Sequence, residues 1–339
     1  MKTKNQDDEQ VTVARAPEIP GLAFRNFRGE KDFAHMVRIF DISKAADSIR
    51  ETTSEKELAH FYRHKKRIDP KQDVLFAEIN GEPVAYARVS WEDEHEGPRR
   101  YFARGDVLPE WRRKGLGTAL LAHNESRLRE MASEHPEAIK KVLETETADT
   151  ELGAIALAKN AGYAPQRYFY FMLRPLEEPI PESVLPAGIE LRPVDKSQLR
   201  QIWEAQNEAF RDHWGHVEGD ENDYTRWATD PNWDLGMWQV AWEGDQIAGM
   251  ILNHVLKEDN AKLGVNWGWT DPISVRRPWR RRGLARNLIL ESLKVLKAQG
   301  FSQAALGVDT QNPSGALTLY ETSGYRVEER WIVYEKPME

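Results

Sequence analysis

Short runs of alternating apolar and polar residues predict strands along this chain, and longer stretches with helical spacing separate them. Residues 21–27 alternate as a strand does, and residues 31–66 are predicted to be helical. Two apolar runs follow, over residues 73–79 and 83–91, with Asn80-Gly81 between them. Because Asn-Gly favours the tight turn of a hairpin, these runs predict two paired strands.

An arginine-rich turn joins the next predicted strand and helix. The strand covers residues 101–108, and the apolar helix covers residues 119–131. A further strand over residues 141–147 and a helix over residues 152–160, ended by a glycine, come next. One or two final strands over residues 163–173 complete a mixed α/β pattern.

The same order of elements then repeats. A strand-like run, a helix over residues 199–211, a hairpin over residues 238–256 and a second arginine-rich turn follow one another. A long-period internal duplication is the simplest explanation. The matching positions are Gly21 and Gly188, Gly81 and Gly244, Arg112 and Arg280, and Gly162 and Gly324, at offsets of 167, 163, 168 and 162 residues.

A proline-rich segment separates the two copies and sets the expected domain boundaries. Residues 175–187 contain four prolines and no clear periodicity, which is typical of a linker. The expected domains are therefore residues 18–174 and 188–339. Residues 1–17 are polar and lack an apolar signal core, so a disordered arm is expected there.

Composition narrows the possible functions. A chain of 339 residues with 40% apolar residues can form two ordinary domains. The net charge of -8 argues against a nucleic-acid binder, because such domains are usually basic. The absence of cysteine excludes disulfides and thiolate metal sites and fits a cytoplasmic protein. No apolar run approaches the roughly 20 residues of a membrane span.

The second arginine-rich turn has two interpretations. Five arginines lie within residues 276–282, which could form a patch for nucleic acid. Alternatively, the turn places unpaired backbone N–H groups at the start of a helix, where they can bind a phosphate. The recurrence of the turn at residues 112–117 favours the phosphate site.

These elements resemble the GNAT superfamily of acyl-CoA N-acyltransferases. The resemblance rests on the turn over residues 280–285, the strand over residues 304–308, and Tyr320 followed by Gly324-Tyr325. It covers nearly the whole chain as two copies, in a tandem layout similar to that of mycothiol synthase. It implies two GNAT-like α/β domains, each a mixed and mostly antiparallel sheet flanked by helices, with strands splayed at the acyl-CoA site.

The resemblance also implies acetyl-CoA as co-substrate. Backbone amides of the two turns would hold its pyrophosphate, and Arg281 and Arg282 would add positive charge. A strand bulge would place Ile273, Ser274 and Val275 along the pantetheine arm and thioester, with backbone N–H groups for the oxyanion. The implied pyrophosphate-binding positions are Arg280, Arg281, Arg282, Gly283, Leu284 and Ala285, and Arg112, Arg113, Lys114, Gly115, Leu116 and Gly117.

Three further residues acquire roles from the resemblance. Asp271 lies where a general base would take a proton from the attacking amine, although Asp-Pro is also ordinary turn chemistry. Asn312 would contact the pantetheine arm or, with Pro313, open the next helix as its N-cap. Tyr320 would protonate the leaving thiolate, since a phenol pKa of about 10 is close to a thiol pKa of about 8.5.

The N-terminal copy lacks these side chains. The internal alignment places Ala103 opposite Asp271, Thr150 opposite Asn312 and Ala158 opposite Tyr320. The C-terminal domain is therefore expected to be catalytic. The N-terminal domain is expected to be degenerate, and either it binds acyl-CoA without turnover or it has a structural role.

A tryptophan-rich stretch suggests where the acceptor binds. Nine of the twelve tryptophans lie between residues 203 and 279. Aromatic walls with a few polar groups suit a small ligand, so His213, Trp214 and His216 are expected to contact the acceptor amine, while core packing is the alternative. No metal is expected, because the two histidines lack a carboxylate or cysteine pattern nearby.

The identity of the acceptor remains open at this level. A small amine metabolite, an aminoglycoside-like antibiotic, a peptide N-terminus and a mycothiol-precursor-like cysteinyl compound all fit. No nucleic acid or membrane partner is expected, and the chain is either a monomer with an internal pseudo-dimer or a homodimer. The alternative function is a non-catalytic acyl-CoA-binding or sensing protein.

Overall fold

The computed structural model describes residues 10–64, 67–312 and 314–338, and the chain forms two compact units. Unit 1 runs to Arg167 and includes the segment from Trp331 onward, and unit 2 spans Tyr168–Arg330. These bounds differ from the expected ones at both ends. The end of the last strand, from Trp331, pairs with the strand Lys141–Ala148 and belongs to unit 1. The expected domains of residues 18–174 and 188–339 stay a prediction.

Unit 1 is a sheet flanked by helices, as its alternating patterns predict. Its helices are α1 (Lys31–Ala46), α2 (Glu55–His64), α3 (Pro70–Asp73), α4 (Leu116–Ser133) and α5 (Leu152–Asn160). Its strands are β1 (Leu22–Asn26), β2 (Val74–Ile79), β3 (Glu82–Asp93), β4 (Arg99–Val107), β5 (Lys141–Ala148), the start of β6 (Ala164–Pro175) and the end of β13 (Arg326–Pro337).

The sheet of unit 1 opens between β4 and β5. The order β1-β2-β3-β4-β5 is antiparallel except for the last pair, and the end of β13 pairs antiparallel with β5. The parallel pairing of β4 with β5 runs from Arg99 opposite Lys141 to Phe102 opposite Glu144. Beyond these residues β4 stays paired to β3 and β5 to β13, so a gap separates residues 103–107 from residues 145–148.

Unit 2 repeats this arrangement. Its helices are α6 (Leu199–Phe210), α7 (Glu221–Ala228), α8 (Lys257–Leu263), α9 (Leu284–Ala298) and α10 (Ala316–Thr322). Its further strands are β7 (Glu190–Arg192), β8 (Gln239–Glu243), β9 (Gln246–Ile251), β10 (Trp267–Trp269), β11 (Ile273–Val275) and β12 (Gln303–Asp309).

The sheet of unit 2 divides at the same place. The end of β6, β12 and β10 form one part, and β11, β9, β8 and β7 form the other. Strands β10 and β11 are therefore separated at residues 270–272, where the Asp271–Pro272 peptide bond is cis. Proline cannot donate to a strand ladder, which fits an interruption there. The apolar face of α9 packs on this region and buries Leu284, Leu288 and Leu293 in the core.

Parts of the expected disordered arm and of the expected linker are packed. Residues 1–9 of the predicted arm lie outside the described part of the chain, but Val13 is buried and the Val11 amide donates to the Phe24 carbonyl at 2.8 Å. The proline-rich segment is also ordered, because Leu176 is buried in the core of unit 2 and Ile180 packs against the same cluster. The prolines interrupt the apolar periodicity of this segment, and the sequence therefore predicted a linker.

The start of the last helix differs from its prediction. Helix α10 begins at Ala316, with Gly315 in the left-handed conformation (φ 74°) before it, so Asn312 is not its N-cap. The Asn312 side chain instead accepts a hydrogen bond from the Ser314 amide at 2.9 Å. Asparagine favours this local turn, which competes with helix capping.

Candidate functional site

The two arginine-rich turns have the same backbone conformation. Arg113 and Arg281 adopt positive φ angles of 61° and 60°. Gly115 and Gly283 adopt φ angles of 89° and 82° and precede helices α4 and α9. A positive φ is uncommon for arginine, so its occurrence at matching positions shows that both copies fold into one specific turn.

The first arginine of each turn holds the turn in place. Arg112 donates from Nε to the Val107 carbonyl at 2.9 Å and from its two terminal nitrogens to Asp47 at 2.9 Å and to the Ser43 carbonyl at 3.1 Å. These contacts link the turn to the end of β4 and to α1. The Arg112 guanidinium therefore has protein partners on all three of its nitrogens.

Arg280 makes the same set of contacts in unit 2. It donates to the Val275 carbonyl at 2.9 Å, to Asp212 at 2.7 Å and to the Ala209 carbonyl at 2.9 Å. Arg277 pairs with the same Asp212 carboxylate, and these two arginines lower the pKa of Asp212 below its ordinary value by hydrogen bonding. The first arginine of the motif is thus a brace in both copies.

The amides that follow are available to a ligand. Within the described part of the chain, no backbone carbonyl accepts a hydrogen bond from the N–H groups of residues 113–118 or 281–286. The first N–H groups of a helix have no partner inside the helix and lie at the positive end of its dipole. Arg281 is exposed beside them, whereas Arg282 pairs with Glu243 at 3.2 Å.

Strand β11 directs further amides into the gap. Its ladder with β9 uses Arg276, whose amide donates to the Ala248 carbonyl at 3.0 Å, and Pro272, whose carbonyl accepts from Leu252 at 3.2 Å. In an antiparallel pair these bonds recur at every second residue. The amides of Ile273 and Val275 therefore point away from β9, into the gap between the two parts of the sheet.

Asp271 lies at the point where the strands diverge. Its carboxylate accepts a hydrogen bond from the Gly307 amide of β12 at 3.4 Å, and its side chain is 30% exposed. Burial raises the pKa of Asp271, and nearby His254 and the Gly307 hydrogen bond act in the opposite direction. A carboxylate with a raised pKa that still reaches solvent can act as a general base.

His254 is a site residue that sequence reasoning missed. Its Nδ1 lies 3.0 Å from the Asp271 carbonyl oxygen and 3.7 Å from a carboxylate oxygen of Asp271. The imidazole stacks on Trp269 and meets Trp233 edge-on, with ring centroids 5.9 and 5.4 Å apart respectively. The polar pair Asn253-His254 interrupts an apolar strand-like run, and this interruption was the signal available in the sequence.

Tyr320 is close to the same carboxylate. It is buried on α10 and meets Tyr325 in a T-shaped contact at 6.1 Å, and the Tyr325 hydroxyl lies 2.7 Å from the Thr270 hydroxyl. Burial raises the pKa of Tyr320, and the charge of Asp271 adds to the effect. The phenol therefore keeps its proton at neutral pH, and the structure brings it together with Asp271 beside the gap.

The predicted acceptor residues lie in the loop after α6. Asp212 ties this loop to the turn through its arginine pairs. Burial lowers the pKa of His213, and Arg280 contributes to the decrease while Asp309 at the end of β12 opposes it. Trp214 packs against Phe169 at 6.0 Å. His213 thus lies between the turn and the end of β12, and the acceptor contacts of His213, Trp214 and His216 stay a prediction.

Four of the other tryptophans lie in the core. Trp238, Trp242, Trp267 and Trp279 are buried. Trp233 differs, because it contacts His254 and so lies near Asp271. No group of three metal-ligating side chains occurs among the residues that the structure describes. Among the same residues, no helix has the length and apolarity of a membrane span.

Unit 1 has the gap but different side chains around it. A cavity of about 990 Å³ extends along the gap and includes Gly115 and Gly117 of the turn. Ala103 and Ala158 line it where unit 2 has Asp271 and Tyr320. The ladder of β3 with β4 also leaves the amides of Gly105 and Val107 pointing into this gap, by the same alternation.

Comparison with known proteins agrees with this duplicated architecture. The chain is 28% identical to the mycothiol acetyltransferase of Salinispora tropica over 337 residues, which cover 98% of each protein. It is 30% identical to that of Thermobispora bispora over 181 residues, covering 53% of this chain and 60% of the relative.

Two solved structures are similar to this chain over nearly its whole length. A GCN5-related N-acetyltransferase from Sphaerobacter thermophilus matches with a TM-score of 0.72 and 26% identity, covering 94% of this chain and 96% of the other. A tandem GNAT protein from the clavulanic acid biosynthesis pathway shares the fold, with a TM-score of 0.68 and 15% identity over 94% of this chain and 99% of the other.

The family model named Acetyltransferase (GNAT) family matches twice, over residues 36–163 and 199–325, which is more than half of the chain. The chain therefore belongs to the GNAT family of acetyltransferases, as an acyltransferase with two family domains in tandem.

Proposed function

We propose that unit 2 transfers an acetyl group from acetyl-CoA to the amine of a small-molecule acceptor. The observation that carries this proposal is the placement of Asp271 and Tyr320 at one gap, directly beyond a turn with unpaired amides. Base, acid and phosphate-binding amides are the parts that direct transfer between a thioester and an amine requires.

Binding positions the thioester in the gap. The amides of residues 281–285 hold the pyrophosphate, and Arg281 adds an exposed positive charge. The amides of Ile273 and Val275 face the pantetheine arm and the thioester carbonyl. One of them stabilises the oxyanion that forms there, because its dipole is already oriented before the reaction. The side-chain oxygen of Asn312 accepts from the Ser314 amide, and its NH2 group contacts the pantetheine arm.

The chemical step exchanges a C–S bond for a C–N bond, removes two protons from the nitrogen and adds one to the sulfur. Asp271 takes the first proton from the ammonium group of the acceptor and releases it to solvent, and the free amine attacks the acetyl carbonyl carbon to form the C–N bond. The nitrogen of the tetrahedral intermediate loses its second proton to solvent, and the C–S bond breaks as the intermediate collapses. Tyr320 donates its phenolic proton to the leaving thiolate, and solvent returns a proton to Tyr320. His254 positions the backbone of Asp271 through its 3.0 Å contact.

The acceptor is a small compound with a primary amine. The relatives are named mycothiol acetyltransferases, and identities of 28% and 30% support a related acceptor class rather than the same compound. Trp233, His254 and Trp269 form an aromatic wall beside Asp271, which suits a small ligand. His213, Trp214 and His216 contact the acceptor from the loop after α6.

Thiol release from acetyl-CoA across a panel of primary amines tests the proposal. We expect at least one amine to accelerate thiol release, and the variant Tyr320→Phe to lower turnover while acetyl-CoA binding stays within about twofold. A chain that binds acetyl-CoA but releases no thiol with any amine is the alternative, an acyl-CoA-binding or sensing protein. Unchanged turnover in Tyr320→Phe would remove the acid from the mechanism.

A further inference from the structure

Gly307 is an exposed glycine within strand β12. The residues on either side of it, Leu306 and Val308, are buried. Gly307 pairs with Phe171 of β6, and its amide donates to the Asp271 carboxylate at 3.4 Å. A Cβ atom placed on Gly307 would meet no heavy atom within 4 Å. Glycine inside a strand often marks a place where a ligand approaches the backbone closely.

The open space lies on the face of β12 that is opposite to Tyr320. Leu306 belongs to the same buried cluster as Tyr320, on the side of α9 and α10. Successive side chains of a strand point to opposite faces, so Gly307 faces the other way, together with Ala305, which packs in a separate cluster. An acceptor over Gly307 therefore reaches the gap from the side that the Tyr320 phenol does not occupy.

Two pairs of aromatic rings flank this open space. Phe171 of β6 contacts Trp269 of β10 with ring centroids 5.4 Å apart. Because β12 lies between these two strands, the pair bridges it. Phe169 contacts Trp214 of the loop after α6 at 6.0 Å. All four side chains are half-buried, so both pairs keep ring surface that a ligand can contact.

The spacing of the two pairs suits one flat group. Phe171 and Phe169 lie two residues apart on β6, opposite Gly307 and Asp309. Neighbouring side chains on one face of a strand are about 6.6 Å apart. This is close to twice the separation of about 3.5 Å between carbon atoms in van der Waals contact. A planar ring therefore fits between the two pairs, and a thicker saturated ring does not.

The Asp271 carboxylate is within reach of the same space. An ammonium nitrogen lies about 2.8 Å from a carboxylate oxygen that accepts its hydrogen bond. Since that carboxylate lies 3.4 Å from the Gly307 amide nitrogen, the ammonium lies within roughly 6 Å of this part of the backbone. A chain of about two carbon atoms joins a nitrogen to a ring over such a distance.

We propose that the acceptor of unit 2 is an arylalkylamine, whose flat ring lies over Gly307 between the two ring pairs while its ammonium group pairs with Asp271. The inference rests on the proposed transfer reaction, because it names the acceptor class of that same site. Gly307 is then the residue that sets specificity, since any side chain there occupies the space of the ring. The backbone N–H that contacts Asp271 is retained in such a variant.

Equilibrium binding of 2-phenylethylammonium to the full chain, followed by ligand-detected NMR, tests this assignment. Saturating coenzyme A is present, and because it carries no acetyl group no transfer can occur. We expect saturable binding that is several-fold tighter than that of ethylammonium or 2-cyclohexylethylammonium. Gly307→Val should weaken the binding of 2-phenylethylammonium about tenfold or more and leave that of ethylammonium within about twofold, because only the ring needs the open space.

Two alanine variants control for folding. Gly307→Ala adds a single carbon atom in open space, at a φ that suits any residue, and it should weaken the binding of 2-phenylethylammonium less than Gly307→Val does. Gly153→Ala on α5 is the matched control, because a Cβ atom there also meets no heavy atom within 4 Å. We expect its affinity for 2-phenylethylammonium to equal that of the wild type.

Three results would overturn the assignment: no saturable binding of 2-phenylethylammonium, equal binding of the cyclohexyl compound, or an affinity that both Gly307 variants leave unchanged. Failure of the transfer reaction gives a different result. In that case 2-phenylethylammonium binds as expected, but no amine accelerates thiol release from acetyl-CoA.

Discussion

The two units share a turn and differ in what lies beyond it. Both turns have a positive φ at their second and fourth residues, and both are braced by an arginine that reaches a carboxylate and two carbonyls. In unit 2 the adjoining gap contains Asp271 and Tyr320, and in unit 1 alanines occupy those places. The turn and the gap are therefore a scaffold for binding, and a few side chains decide whether chemistry can occur.

The arginines of the motif have two different roles. Sequence reasoning treats every arginine of such a turn as a possible phosphate ligand. The structure distinguishes two kinds of arginine in the turn. The guanidinium groups of Arg112 and Arg280 are hydrogen-bonded to the protein, whereas Arg113 and Arg281 are exposed. Asp47 and Asp212, the acidic partners, are both located after the first long helix of their unit and mark the brace in each copy.

The largest expected effect is on turnover in unit 2. We expect Asp271→Asn to reduce kcat for acetyl transfer by roughly 10²- to 10⁴-fold, the usual contribution of a general base. Steady-state thiol release with a saturating amine measures it. The control Asp245→Asn changes an exposed aspartate on the β8–β9 hairpin and should stay within twofold of wild type. A loss equal in both variants would assign the effect to overall charge or folding.

A stability change is expected in unit 1. Lys44 and Glu151 form a pair whose side chains are 9% and 10% exposed. Lys44→Met leaves Glu151 buried without its cation, and we expect a loss of about 3–5 kcal/mol in the free energy of unfolding. Urea denaturation measures this, with the exposed Lys257→Met as the matched control. A change of the same size in both variants would show that the pair contributes nothing specific.

A matched pair of glycine variants separates the two turns. Gly283→Ala and Gly115→Ala each place a side chain at a φ above 80°, which is strained for alanine by roughly 1 kcal/mol. We expect Gly283→Ala to raise KM for acetyl-CoA by several-fold. Gly115→Ala should instead affect acetyl-CoA binding to unit 1 by equilibrium measurement. If Gly115→Ala raised KM for acetyl-CoA and Gly283→Ala did not, transfer would take place in unit 1.

The smallest effect is a shift in pH dependence. The base must be ionised, so kcat/KM should rise with pH through the pKa of Asp271, which burial places above the ordinary value for aspartate. The charge of His254 lowers that pKa. We therefore expect His254→Gln to move the acid limb of the profile to higher pH, with a loss of less than about tenfold at the optimum. A profile that does not move would remove His254 from the site.

Most of the fold could be predicted from the sequence, because turn residues and alternating patterns are local signals. Asn80-Gly81 gave the first hairpin, and alternation gave strands that match β2 and β3. The duplication identified both turns, since their glycines and arginines recur at a constant distance. The pairing of the end of β13 with β5 could not be predicted, because strand pairing depends on long-range contacts that local patterns do not contain.

The site was only partly predictable for the same reason. The acid role of Tyr320 and the base role of Asp271 followed from family resemblance and stay predictions, although the charge of Asp271 acts on the Tyr320 phenol. His254 lies after the end of β9, 17 residues before Asp271, and reaches Asp271 through tertiary packing. Asn312 had two predicted roles, a contact to the pantetheine arm and a helix cap. Its side chain accepts from the Ser314 amide instead of capping α10, and residue type alone does not decide between these local hydrogen bonds.

The rate of a single turnover in the double variant Asp271→Asn/Tyr320→Phe tests the assignment of catalysis to unit 2 most directly. Enzyme in excess over acetyl-CoA is mixed with an amine that supports turnover, and the acetylated product is followed. We predict a rate indistinguishable from the reaction without enzyme, while acetyl-CoA still binds with an affinity within about threefold of wild type. Product formation at the wild-type rate would show that the acetyl group is transferred elsewhere in the chain.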